Sequence, residues 1–153
     1  SWDLDTAELF LVDSRLPARL ACVGADGFPR VVSLWYRYQD GVMQSVTHKN
    51  SPLSRMLTRN GKVGFEVAPN EPPYRGVRGQ GTVSLSPLGD DATLRELLLT
   101  YLGGLDSQLA GWLLSRSQDE LLITLRPHRF YTWDYRERMA DVAATDRVPD
   151  HPA

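Results

Sequence analysis

The amino-acid sequence predicts a mainly β domain of the α+β class, a small antiparallel β-barrel of six or seven strands with helices on its flanks. Three observations lead there. Short runs rich in β-branched and aromatic residues recur between Gly-bearing turns, too closely spaced to hold the helices of repeated βαβ units. One run alternates strictly: Val77, Gly79, Gly81, Val83 and Leu85 interleave with Arg78, Gln80, Thr82, Ser84 and Ser86, the pattern of a strand with one polar face. Helical periodicity is confined to the start of the chain, a short stretch after residue 51 and one later region, which places helices around a sheet rather than between its strands.

Taken in order, Asp5 and Glu8 have the spacing of a capping box, with Leu9, Val12 and Leu16 at helical intervals behind them, so a helix is expected over 5–16. From Pro17 the segments ARLACVG, RVVSLWYRY and VMQSVT, joined by ADGFP and QDG, read as three strands of an antiparallel meander. SPLSRMLTRNG reads as a short helix with Pro52 in its first turn and Gly61 as its stop, and KVGFEVA as the next strand. The turn-rich PNEPPYRG leads into the alternating strand. Over 90–116 a helical hairpin is expected. Leu94, Leu97, Leu98, Tyr101 and Leu102 form one stripe, Gly103 and Gly104 break it, and Asp106 can cap a second helix bearing Leu109, Trp112 and Leu113. ELLITLR and RFYTWDY read as two final strands meeting at Pro127. A single domain over 1–139 is expected, and 140–153, poor in large apolar residues, as a flexible tail that frays or packs on a partner.

Composition narrows the function. With 153 residues, 42% of them hydrophobic, the chain is long enough to bury a core without disulfides or metal. Its net charge of −2, with Lys and Arg dispersed, gives no footprint for nucleic acid or an anionic membrane. There is no run of membrane-spanning length and no signal-peptide pattern, so a cytoplasmic protein is expected. The single cysteine, Cys22, lies in an apolar run and reads as a small buried hydrophobe.

Few motifs carry chemistry. GVRGQG has the order G-x-x-G-x-G and runs into a strand instead of opening a helix, so it is no dinucleotide fingerprint. On a strand, such glycines allow a bend, a close backbone or a planar ligand. His48, His128 and His151 share no metal-ligand spacing with Cys or carboxylates, and there is no Gly-x-Ser-x-Gly elbow. The stretch SVTHKNSPLSR is more informative. A strand ending in Thr47, then Lys49, Asn50, Ser51 and a helix start, offers hydroxyls, an ammonium and free backbone N–H groups to a phosphate monoester. Taken alone the pattern is common, since many helices begin with a capping Ser near a Lys.

The order of these segments adds to it. ADGFPRVVSLWYRYQDGVMQSVTHKNSPLSRMLTRNGKVGFEV, then YRGVRGQGTVSL, then RPHRFYTWDY, resembles the pyridoxamine 5′-phosphate oxidase-like family of FMN-binding split barrels over residues 17 to 136. The resemblance implies a split barrel that works as a homodimer, with the flavin in clefts between subunits. It implies that Arg30, Val32, Ser33, Leu34 and Trp35 line the flavin and that Val46, Thr47, Lys49 and Ser51 hold its phosphate. Arg75, Gly76 and Arg78 would reach it from the partner, and Trp133 would pack nearby. Many members have Ser-Arg-Lys at the phosphate. Here Ser51 is followed by Pro52 and Leu53, so Lys49, Arg55 or an arginine of the second subunit would have to compensate.

These readings converge on an FMN-dependent oxidoreductase acting on a small molecule, with no catalytic acid or base assigned, because the isoalloxazine ring carries the hydride chemistry. His48 and Tyr74 are the side chains best suited to donate a proton. Two alternatives stand beside it. A reductase using the deazaflavin coenzyme F-420 is suggested by the "VRGQG" strand and the missing Arg-Lys pair, and a non-catalytic protein that sequesters or senses flavin or haem by the lack of an acid or base.

Overall fold

The computed structural model describes residues 1–145, with side chains to residue 140. Its element order is α1 (Leu4–Asp13), β1 (Ala18–Val23), β2 (Pro29–Leu34), β3 (Arg37–Gln39), β4 (Val42–His48), α2 (Pro52–Arg59), β5 (Lys62–Val67), β6 (Arg75–Pro87), α3 (Ala92–Leu102), α4 (Gln108–Ser115), β7 (Glu120–Asp134) and α5 (Arg136–Thr145). The strands form one seven-stranded sheet in the order β2-β1-β5-β6-β7-β4-β3, with every pair antiparallel. This is the mainly β, helix-flanked architecture that the alternating patterns predict.

The two strands at the ends of that order, β2 and β3, follow one another in the chain with only Trp35 and Tyr36 between them. The sheet therefore curls until its edges are joined covalently rather than by a ladder, which makes a barrel with a seam. The sequence reads RVVSLWYRY as one strand. It is split because the backbone at the seam has other partners: the Trp35 carbonyl accepts from Ser45 Oγ at 2.7 Å and Tyr36 N–H donates to the Tyr101 hydroxyl oxygen at 3.2 Å. The Tyr101 hydroxyl in turn donates to the Leu16 carbonyl at 2.9 Å, and the Tyr36 hydroxyl to the Leu11 carbonyl at 2.7 Å. Side chains thus replace the missing ladder bonds, as buried backbone groups require.

Hairpin chemistry fixes the register of β3 on β4. Gln39 pairs with Val42, which leaves a two-residue turn in which Asp40 (φ 54°) and Gly41 (φ 78°) both take the left-handed conformation. Asp-Gly is a preferred sequence for such a turn. The final strand differs from expectation: β7 runs unbroken through Pro127. Gln80 pairs with Arg129 but Gly81 with Pro127, so His128 is an extra residue in a bulge. There the ladder is already interrupted and the missing N–H of proline costs little.

The helix ends also shift. Asp3, not Asp5, caps α1 by accepting from Thr6 N–H at 2.8 Å, so the helix begins and ends earlier than 5–16, while Glu8 accepts from the Tyr38 hydroxyl at 2.7 Å. Ser107 rather than Asp106 caps α4, accepting from Ala110 N–H. Helix α5 takes up residues 136–145, including the first part of the segment expected as a tail, and residues 146–153 lie outside the described residues.

Two apolar clusters hold these elements. Leu20, Tyr38, Met43, Val63, Phe65, Val77, Ile123 and Leu125 fill the barrel, plugged by Ala7 and Leu11 of α1 and Leu53 and Leu57 of α2. Cys22 is in this core, and burial pushes its thiol up from the ordinary value. The second cluster, Leu88, Leu94, Leu98 and Ala110, seats the α3–α4 hairpin against Trp35, Val46 and Leu122. Among the described residues no helix is long and apolar enough to cross a membrane.

Candidate functional site

The turn between β4 and α2 brings four of its polar groups together. Thr47 Oγ1 and Ser51 Oγ lie 2.8 Å apart, and Ser51 Oγ also accepts from Ser54 N–H at 3.0 Å, capping α2. Ser51 N–H donates to the His48 carbonyl, and the Ser54 hydroxyl is within 2.9 Å of the Lys49 and Ser51 carbonyls. Asn50 N–H donates to His48 Nδ1 at 3.1 Å, which leaves that nitrogen as an acceptor and any proton on Nε2. The turn is therefore rigid before any ligand arrives, with two hydroxyls at the positively polarised end of a helix.

Two cations flank it. Lys49 Nζ is 2.9 Å from Asp119 Oδ1, and Lys49 N–H donates to the Asp119 carbonyl, so the residue is held from both ends. The Lys49 ammonium keeps the Asp119 carboxyl below its usual range. Arg55, one turn into α2, folds back so that its guanidinium donates to the Asn50 carbonyl at 2.8 Å. Pro52 cannot donate, and Leu53 is 7% exposed in the barrel core, so its position cannot contribute a ligand group. Thr47, Ser51, Lys49 and Arg55 make a donor set suited to a phosphate group, with Asp119 as the carboxylate that the phosphate must compete against.

The seam that follows β2 is tied to β4 by the Ser45 to Trp35 bond. Val32 and Leu34 are half-buried against the core. Ser33 Oγ accepts from Arg19 Nη1 at 2.6 Å. Arg30 turns back on its own hairpin, bonding Asp26 at 2.9 Å and the Phe28 carbonyl at 3.2 Å. Trp35 stacks on Tyr101 with ring centroids 5.4 Å apart and planes 5° from parallel, and with Val46 it packs against the helical hairpin. One face of Trp35 is thereby covered.

The third group is at the start of β6. Gly76 is directly opposite Trp133 in the ladder, and a Cβ at Gly76 would sit 2.6 Å from the Val67 carbonyl oxygen and 2.9 Å from the Trp133 ring. Only glycine lets that ring lie so close to the strand. The Arg78 guanidinium covers the Trp133 ring at 4.0 Å and pairs with Glu66, and Arg75 lies 5.9 Å from the Phe10 ring centroid. Tyr74, just before the strand, is 44% exposed.

The structure does not unite all thirteen residues in one chain. Leu121 of β7 is opposite Thr47, and Trp133 of β7 is opposite Gly76. These positions are twelve residues apart on one strand, roughly 40 Å of strand path. The hydroxyl-cation turn and the Arg78–Trp133 stack thus belong to opposite ends of the longest strand in the sheet. Two residues that shape the site have little signal in the sequence: Tyr101 reads only as part of an apolar stripe, and Asp119 as one acidic residue in a polar turn.

No protein-family model matches the chain, and neither does any curated protein sequence. Solved structures do. A conserved hypothetical protein from Mycobacterium tuberculosis superposes with a TM-score of 0.76 at 19% identity, over 100% of this chain and 92% of that one. An F-420 reductase superposes with a TM-score of 0.67 at 26% identity, over 79% and 93%. A candidate pyridoxamine 5′-phosphate oxidase from Listeria innocua gives 0.60 at 15%, over 85% and 98%. The fold is that of the pyridoxamine 5′-phosphate oxidase-like split barrels, as the order of the sequence segments implies.

Proposed function

We propose that this chain is an oxidoreductase that binds a phosphate-bearing flavin-type coenzyme, FMN or the deazaflavin F-420, and acts on a small organic molecule. The observation that carries this reading is the 47–51 turn, where Thr47 and Ser51 hydroxyls meet 2.8 Å apart at the start of α2 beside Lys49 and Arg55. When bound, the coenzyme supplies the hydride chemistry. The chain's residues would hold the phosphate through those four groups, orient the ring along Arg30, Val32, Ser33, Leu34 and Trp35, and exclude water with Val46 and Trp133.

Because the 47–51 turn and the Arg75, Gly76, Arg78 and Trp133 group are at opposite ends of β7, we assign them to two different clefts of a homodimer. Each cleft takes one group from each subunit. This arrangement needs no further chain and agrees with what the sequence resemblance implies.

Two observations favour F-420 over FMN. Leu53 stands in the core where the FMN-binding pattern has a cationic ligand, and the F-420 reductase is 26% identical to this chain against 15% for the oxidase-like protein. Titration of the purified protein with each coenzyme, followed by visible absorbance, tests the reading. Saturable binding is expected, weakened about tenfold or more in Lys49→Ala through loss of a charge-assisted contact to phosphate. Binding of neither coenzyme would refute the proposal, and equal binding by Lys49→Ala would remove Lys49 from the site.

A further inference from the structure

At the end of the barrel where β6 begins, α1 and the loop before β6 line an open pocket of about 510 Å³ that includes none of the 47–51 turn. Its wall is aromatic. Trp2 and Phe10 meet with ring centroids 5.1 Å apart, tilted by 47°. Trp2 is held firmly in place: its N–H donates to Thr132 Oγ1 at 2.8 Å and its indole N–H to Asp134 Oδ2 at 3.1 Å.

Three arginines line the same cavity, Arg15, Arg75 and Arg136. Asp134 neutralises Arg136 with bonds of 2.6 to 3.1 Å. Arg15 and Arg75 have no carboxylate partner among the described residues. Asp13 is the carboxylate that lines the cavity. Two uncompensated guanidiniums less one carboxylate leave a single excess positive charge beside a fixed aromatic wall. A guanidinium is a rigid fork of donors that pairs best with an oxyanion, and a concave apolar wall selects the body that carries it.

We infer that this cavity binds a planar, apolar small molecule bearing one carboxylate, its ring against Trp2 and Phe10 and its anion between Arg15 and Arg75. The site itself follows from this chain alone. That its ligand is the substrate rests on the proposed function, because Arg75 opens the strand segment assigned to the coenzyme cleft.

The test is calorimetric titration of the full chain with naphthalene carboxylate and with naphthalene carboxamide, which has the same shape without the charge. Saturable binding of the carboxylate is expected, with the carboxamide weaker by about tenfold or more. Arg15→Gln should show the same loss for the carboxylate. Arg15 is exposed in the connection after α1, so its thermal melt should match wild type, and the carboxylate to carboxamide comparison needs no variant at all. Equal binding of the two compounds, unchanged binding by Arg15→Gln, or no saturation would overturn the inference. Carboxylate binding in a protein that takes neither FMN nor F-420 would refute the coenzyme reading and leave this site standing, and the reverse result would do the opposite.

Discussion

At the scale of single residues, Asp134 shows how one carboxylate can tie several parts of the chain together. It accepts from the Arg136 guanidinium and from the Trp2 indole while lying opposite Arg75 in the ladder. Hydrogen bonding from Arg136 holds its carboxyl well below the usual carboxylate range. A carboxyl with a depressed folded-state pKa contributes stability above its unfolded value of about 4 and loses that contribution as pH falls toward the folded value. The wild-type urea midpoint should therefore decline as pH drops below about 4. Asp134→Asn should have a lower midpoint at neutral pH and a shallower decline in acid. A variant that follows the wild-type curve throughout would exclude this residue as a source of acid sensitivity.

At the scale of elements, the glycines of β6 separate two roles that the sequence leaves open. Gly79 faces inward, where a Cβ would strike the Phe65 ring and lie 2.5 Å from the Arg129 carbonyl oxygen. Gly64, its neighbour on β5, has room: a Cβ there would meet nothing closer than 3.7 Å. Gly79→Ala should cost about 1–3 kcal/mol by overpacking, measured by urea unfolding, and Gly64→Ala close to nothing. Comparable losses at both positions would mean that backbone freedom, not packing, is what the strand needs. At Gly79 and Gly81 close packing by itself demands glycine, since a Cβ would strike Phe65 at the first and the Arg126 carbonyl at the second.

The same elements show which features are legible in sequence. The Asp40-Gly41 turn and the alternation of β6 are local, and both can be read directly. The seam is not, because Trp35 and Tyr36 look like any strand pair until Tyr101, 65 residues away, takes up the Tyr36 N–H. Pro127 reads as a strand end, and only the bulge opposite Gly81 lets β7 continue through it. In the candidate site the Thr47 and Ser51 pair is a short-range feature that spacing reveals. The hold of Asp119 on Lys49 is set by the last connection before β7 and leaves no mark near the turn.

At the scale of the whole molecule, the separation of the two residue groups along β7 gives the proposed dimer a genetic test. Lys49→Ala disables one group and Arg78→Ala the other, so each variant alone should lose coenzyme affinity in both clefts. In a mixed dimer, the intact Lys49 of one subunit meets the intact Arg78 of the other in a single cleft. Co-expressed, separately tagged chains should recover binding at about half of the clefts of each isolated heterodimer. No recovery would place both groups in clefts built by one chain.

Strand β7 lies between β6 and β4 in the sheet and is the last strand among the described residues. A growing chain emerging from the ribosome can form the β1–β2 and β3–β4 hairpins and lay β5 on β6, yet β4 and β6 each keep an open edge until residues 120–134 have been made. Such edges are templates for pairing with a stranger. The keystone of this barrel is therefore also its longest delay in synthesis, and the interval before it arrives is when a nascent chain is most exposed to aggregation.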